Sequence, residues 1–199
     1  MPRNWLSFLT LIGLTLVFLV LWESPPKNFL RPQPENIKDQ KAHISGFLTE
    51  VQIVQFDKKG SINYQFNADK MHHFQIHPKN PGPQDYTDII APYIVLHRGS
   101  ETAAPPWYVQ ADKGQSTENS EIISLEDNVR AWQKGETTAP ELTTSKLVLK
   151  PETQYAETDK PVMINAPDSK TQAIGMRADL NRDRIELLSN VRGVHEPNN

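Results

Sequence analysis

The chain has 199 residues and a formal net charge of −3, with 16 prolines, 9 glycines and no cysteine. That length holds one ordinary domain plus an appendage. A charge this small, without a Lys/Arg-rich run, excludes a nucleic-acid-binding surface, and the lack of cysteine excludes disulfides, thiolate metal sites and thiol nucleophiles.

Residues 5–22 read WLSFLTLIGLTLVFLVLW and carry no charge. As a helix at ~1.5 Å per residue this run spans about 27 Å, close to the ~30 Å hydrocarbon core of a bilayer. Trp5 and Trp22 at its ends suit the two membrane interfaces. A cleaved signal peptide is the competing reading. The apolar run is longer than a usual signal core, and Glu23-Ser24-Pro25-Pro26 offers no small-x-small cleavage site, so a retained anchor is expected. Positive charges do not set its orientation: Arg3 lies on one side, and Lys27, Arg31, Lys38 and Lys41 on the other. Residues 23–40, with Pro25, Pro26, Pro32 and Pro34, read as an extended linker.

From about Ala42 the pattern takes a period of two. Val51, Ile53 and Phe56 precede the turn Asp57-Lys58-Lys59-Gly60, and Ile62, Tyr64, Phe66 and Ala68 alternate with polar residues beyond it. Alternation around a Gly-containing turn predicts a hairpin, and Gly60 is the residue expected to take positive φ. Alternating runs return at residues 90–96, 107–111, 123–131, 143–149, 162–164, 174–180 and 185–194, and no apolar period of 3.6 is sustained. The fold class is therefore all-β.

A weak repeat runs through these strands. A small residue followed by a charge recurs at Ala68-Asp69-Lys70, Ala111-Asp112-Lys113, Ser145-Lys146 and Ala178-Asp179. Returning half-units recur at Asp127-Asn128-Val129, Asp159-Lys160-Pro161-Val162 and Ser189-Asn190-Val191. Near-equal spacing predicts stacked strand pairs in an elongated antiparallel sandwich or jelly roll.

Catalytic candidates are weak. His72, His73 and His77 cluster near Asp69, but on a strand His73 and His77 stand about 13 Å apart at ~3.3 Å per residue, too far to share a metal. No serine lies in a G-x-S-x-G turn, and Glu126-Asp127 and Asp179/Asp183 read as turn acids. No enzyme, metal or cofactor is expected. Trp107, Tyr108 and Tyr93 would suit sugar stacking if exposed, and core anchorage if Trp107 is buried. Residues expected to point inward are Val51, Ile53, Tyr64, Phe66, Ile89, Tyr93, Val109, Leu125, Val129, Leu147, Met176 and Ile185. They would line either a filled core or a slot able to hold acyl chains, each buried CH₂ contributing about 0.8 kcal/mol. Alternation does not distinguish the two.

Taken together, the single N-terminal span, Asp57-Lys58-Lys59-Gly60 with Tyr64, Trp107-x-Val109-x-Ala111-Asp112-Lys113, Met176-Arg177-x-x-Leu180 and the strand-like tail to Val191-Arg192 resemble the LptC family over almost the whole chain. The Pro-rich stretch 77–83 departs from that pattern. The resemblance implies residues 1–4 in the cytoplasm, a single inner-membrane span at 5–22, the linker at 23–40 and a periplasmic β-jelly roll at 41–196 that binds lipopolysaccharide. It further implies receipt of that lipid from an inner-membrane ABC transporter (LptB, LptF and LptG) at the N-terminal edge, near residues 45–56. Delivery to LptA would follow at the C-terminal edge strand, 185–194, where Val191, Arg192 and Val194 would meet the partner. A membrane-anchored scaffold that binds no lipid and a carbohydrate-binding module are the alternatives.

Overall fold

The computed structural model describes residues 42–77, 79, 81–98, 105–117, 121–134 and 140–195. The expected span and linker lie outside them. Every regular element among the described residues is a strand: β1 (His43–Phe56), β2 (Ile62–Gln75), β3 (Tyr86–Ile90), β4 (Tyr93–Leu96), β5 (Trp107–Gln110), β6 (Lys113–Thr117), β7 (Ile123–Gln133), β8 (Glu141–Lys150), β9 (Tyr155–Ala166), β10 (Ser169–Asp179) and β11 (Arg184–His195). The expected all-β class is observed.

All eleven strands pair antiparallel in one sheet. β2 carries β4 along residues 64–67 and β3 along residues 70–74. β7 in the same way carries β5 along 130–133 and β6 along 123–126. Hence β3 with β4, and β5 with β6, behave as two bent strands, and chain neighbours are sheet neighbours from β1 to β11. Stacked pairs were expected as an elongated sandwich or jelly roll. They occur here as a single meander folded into two layers, because the long strands cross from one layer to the other instead of ending between them.

The fold line is built by local chemistry. Positive φ occurs at Glu50, Ala91, Asp127, Asn128, Gly175 and Asn190, and ladder registers slip at Glu126/Val129, Thr144/Val148 and Ile174/Met176. Asn and Asp tolerate the left-handed region better than other residues with a Cβ, and an inserted residue bends the strand that carries it. Pro92 and Pro161 stand at the same line, where a missing N–H costs no ladder bond. Successive corners are tied by main-chain bonds, Ala91 N to Asp112 O (2.9 Å) and Asp112 N to Asp127 O (3.0 Å). The repeat units Ala111-Asp112, Asp127-Asn128, Ser145-Lys146, Asp159-Lys160 and Ser189-Asn190 all fall there. Ala178-Asp179 does not: it ends β10, with Ala178 opposite Ile185, and Gly175 makes that corner instead.

The turn from β1 to β2 closes as the sequence predicts. Gly60 takes a φ of 83° and donates its N–H to Asp57 O (3.1 Å). Asp57 Oδ1 accepts from the N–H groups of Lys59 and Ser61 at 2.8 and 2.9 Å.

Candidate lipid-binding interior and strand edges

Alternation places one face of each strand between the layers. Phe66, Ile89, Val109, Leu125, Val129, Leu147 and Met176 meet there in a single apolar cluster, each at most 3% exposed. Tyr64, Val51 and Ile185 pack against that cluster half-buried. Burial raises the Tyr64 phenol above its ordinary pKa, and the nearby Glu152 carboxylate adds to the shift. Ile53 shares the inner face through its pairing with Phe66, yet remains 42% exposed, since among the described residues no strand covers β1 from its other side.

Tyr93 corrects the expectation. It sits on the outer face, its ring 6.2 Å from those of both Tyr108 and Trp132, while Ile94 and Leu96 fill the interior at 0% exposure. The run Tyr93-Ile94-Val95-Leu96 is apolar at every position, so alternation alone gave no phase. Arg130 and Lys134 cover the outer rings of Trp132 and Tyr108 at 5.3 and 4.8 Å. Trp107 is 3% exposed and directs its Nε1 to Asp183 Oδ1 (3.4 Å). It therefore anchors the end of the core and offers no sugar platform.

The centre of the sheet is filled. Ile94, Leu96, Val109, Leu125, Val129 and Leu149 are all inaccessible to solvent, as the side chains of a protein core are. Apolar inner-face residues reach solvent at the two ends of the meander. At one end these are Leu48 and Ile53 of β1; at the other, β11 presents half-buried Ile185 and Leu187 together with Val191, 54% exposed. Among the described residues β1 pairs only with β2, and β11 only with β10. Each thus leaves one edge of N–H and C=O groups free to accept another strand. Val194 (63% exposed) and Arg192 stand on the β11 edge. Leu48, Leu187 and the inner residues Ile123, Leu142, Leu149 and Val162 were absent from the expected set, although the period-two pattern around them carried the signal.

Charged groups on the outer faces pair locally. Lys113 Nζ meets Asp127 Oδ2 at 2.9 Å, and Lys146 Nζ meets Glu126 Oε1 at 2.7 Å. Arg130 donates to Glu141 Oε1 at 2.8 Å, a bond that holds the Glu141 carboxyl below the ordinary glutamate range. The turn acids thus serve as cross-strand partners. His73 Nδ1 lies 2.9 Å from Thr87 Oγ1, and no three His, Asp or Glu side chains among the described residues converge on a metal-sized site.

Fold and edges together define a class: an antiparallel β-protein with a packed apolar interior and two terminal strands that each leave one edge free among the described residues. Comparison supplies the family. Residues 8–196 match the family model for lipopolysaccharide-assembly, LptC-related proteins, and the chain belongs to that family. Membership implies a role in lipopolysaccharide transport in the cell envelope, in a family of transport proteins rather than enzymes. No curated protein matches the chain.

Proposed function

We propose that this chain is a membrane-anchored bridge of the lipopolysaccharide export system. It takes lipopolysaccharide from the inner-membrane transporter formed by LptB, LptF and LptG and passes it to LptA. Residues 5–22 supply the anchor, outside the described residues, and the folded sheet acts in the periplasm as a unit of jelly-roll type. One observation carries the reading: among the described residues both ends of the meander combine a free strand edge with exposed inner-face apolar residues, Leu48 and Ile53 on β1 and Val191 on β11. A partner sheet added at such an edge would pair main chain with main chain and extend the apolar interior from one protein into the next. Acyl chains would then travel within a continuous slot at a gain of about 0.8 kcal/mol per buried CH₂. Without a nucleotide-binding motif of its own, the chain depends on the transporter for energy.

The filled centre favours one rival, a scaffold that joins the two neighbours and carries no lipid. Photoreactive residues in place of Phe66 and Ile89, in the full-length chain within an actively exporting envelope, separate the two. Labelling by lipopolysaccharide is expected. Complete absence of labelling, with export intact, would leave the scaffold.

A further inference from the structure

The two layers are joined differently on their two sides. Along the fold line the chain runs from layer to layer, and main-chain bonds tie one corner to the next. On the opposite side the layer tips meet, among the described residues, only through bonds that have a side chain on at least one end. Arg98, after β4, forms a two-pronged ion pair with Asp183 in the β10–β11 turn. Its side chain is only 6% exposed. Gln154, buried in the β8–β9 turn at a φ of 54°, donates to His97 O at 2.5 Å and to Asn63 Oδ1 at 3.1 Å. Asn63 Nδ2 in turn donates to Glu152 O at 3.2 Å.

Behind these contacts the interior is closed, with Leu96 at 0% and Trp107 at 3% exposure. An acyl chain enters only if the layers part. Parting along the fold line would break continuous main chain and its ladders, whereas parting at the tips separates apolar contacts and breaks only side-chain bonds, these and the one from Trp107 Nε1 to Asp183 Oδ1. The set is also short of partners. Arg98 Nε, His97 Nε2 and Gln154 Oε1 are buried with no hydrogen-bond partner among the described residues, and a partly satisfied polar network holds less firmly than a complete one.

We propose that Arg98, Asp183 and Gln154 form a clasp whose release lets the layers swing apart about the fold line and admit the acyl chains of lipopolysaccharide. This inference rests on the lipid-carrying reading above. In the clasped state the chain is a closed, stable sheet; unclasped, it offers an apolar slot with Phe66, Val109 and Leu125 along its walls.

The natural chain has no cysteine, so a reversible lock can be installed cleanly. R98C and D183C in the full-length anchored chain are joined by a short bis-maleimide linker with a reducible centre, and a photoreactive residue replaces Ile89. Locking is expected to abolish lipopolysaccharide capture, and reduction to restore it in the same molecules. In a separate series D183A is expected to capture several-fold more than the wild type. If D183A fails to fold, Q154A, which leaves the ion pair in place, takes its role. Equal capture by locked and unlocked chains overturns the clasp, as does a folded D183A or Q154A that captures no more than the wild type. A wild-type chain carrying the probe at Ile89 that captures nothing overturns the lipid-carrying reading itself.

Discussion

Gly175 and Leu188 face one another across the β10–β11 pair, and a Cβ on Gly175 would stand 3.0 Å from Leu188 Cδ1. Gly175 also takes a φ of 79°, so an alanine there meets backbone strain and a side chain at once. Gly60 takes a φ of 83° with open space around its missing Cβ. G60A is expected to cost about 1 kcal/mol from backbone conformation alone. G175A should cost more, roughly 2 kcal/mol, because overpacking adds to the same penalty. Urea denaturation of the two variants checks the order, and G60A as the more damaging change would contradict it.

The comparison also marks what could be read from residues alone. Gly60 was legible because it sits in a short Gly-containing turn between two alternating strands, a local signal. Gly175 was not, since its need for positive φ arises from a corner shared with neighbouring strands. Strand β6 (Lys113–Thr117) went unpredicted because KGQST has no apolar alternation; it is held by β3 and β7 on either side. The Arg98–Asp183 pair joins residues 85 apart, and no periodicity links a loop to a turn at that distance. Inner-face residues were legible wherever polar positions alternated with them, and Tyr93 was lost where they did not.

Core and edge positions on the same face should respond very differently to truncation. Leu147 is 1% exposed and packed on all sides, whereas Ile53 is 42% exposed. L147A is expected to destabilise the chain by about 2–5 kcal/mol, the range for a cavity in a close-packed core. I53A should cost less than about 1.5 kcal/mol, since much of its side chain already meets water. Equilibrium unfolding of both variants tests whether the interior is packed in solution. A cost at Leu147 no larger than at Ile53 would mean that the layers stand apart in the resting state.

Prolines on the outer strand should separate partner binding from stability. Along an antiparallel edge strand, alternate N–H groups face the neighbour and the free edge. Of Val191 and Arg192, therefore, one donates towards β10 and the other outward. V191P and R192P are both expected to abolish pairing with LptA, measured by co-purification or site-specific crosslinking. Only one of them should lower the melting temperature markedly, because proline removes a ladder bond only where one exists. LptA binding that survives both substitutions would remove the β11 edge from the bridge.

The Arg130–Glu141 pair predicts a small acid dependence with a definite sign. Its hydrogen bond lowers the Glu141 pKa below the ordinary glutamate value, against a weaker opposing effect of burial. A carboxyl with a depressed folded-state pKa stabilises the chain above its unfolded pKa, about 4.3 for glutamate. That contribution is lost as pH falls through the folded value. The two side chains are 45% and 36% exposed, so solvent screening holds the gain to about 0.2–1 kcal/mol. Wild type should therefore exceed E141Q slightly in stability at pH 7, and the gap should close below about pH 4. Thermal melts of both chains between these limits, repeated at high salt, measure it. A gap that stayed constant with pH would mean that Arg130 is held by Trp132, whose ring it also covers, and that Glu141 contributes no charge to the fold.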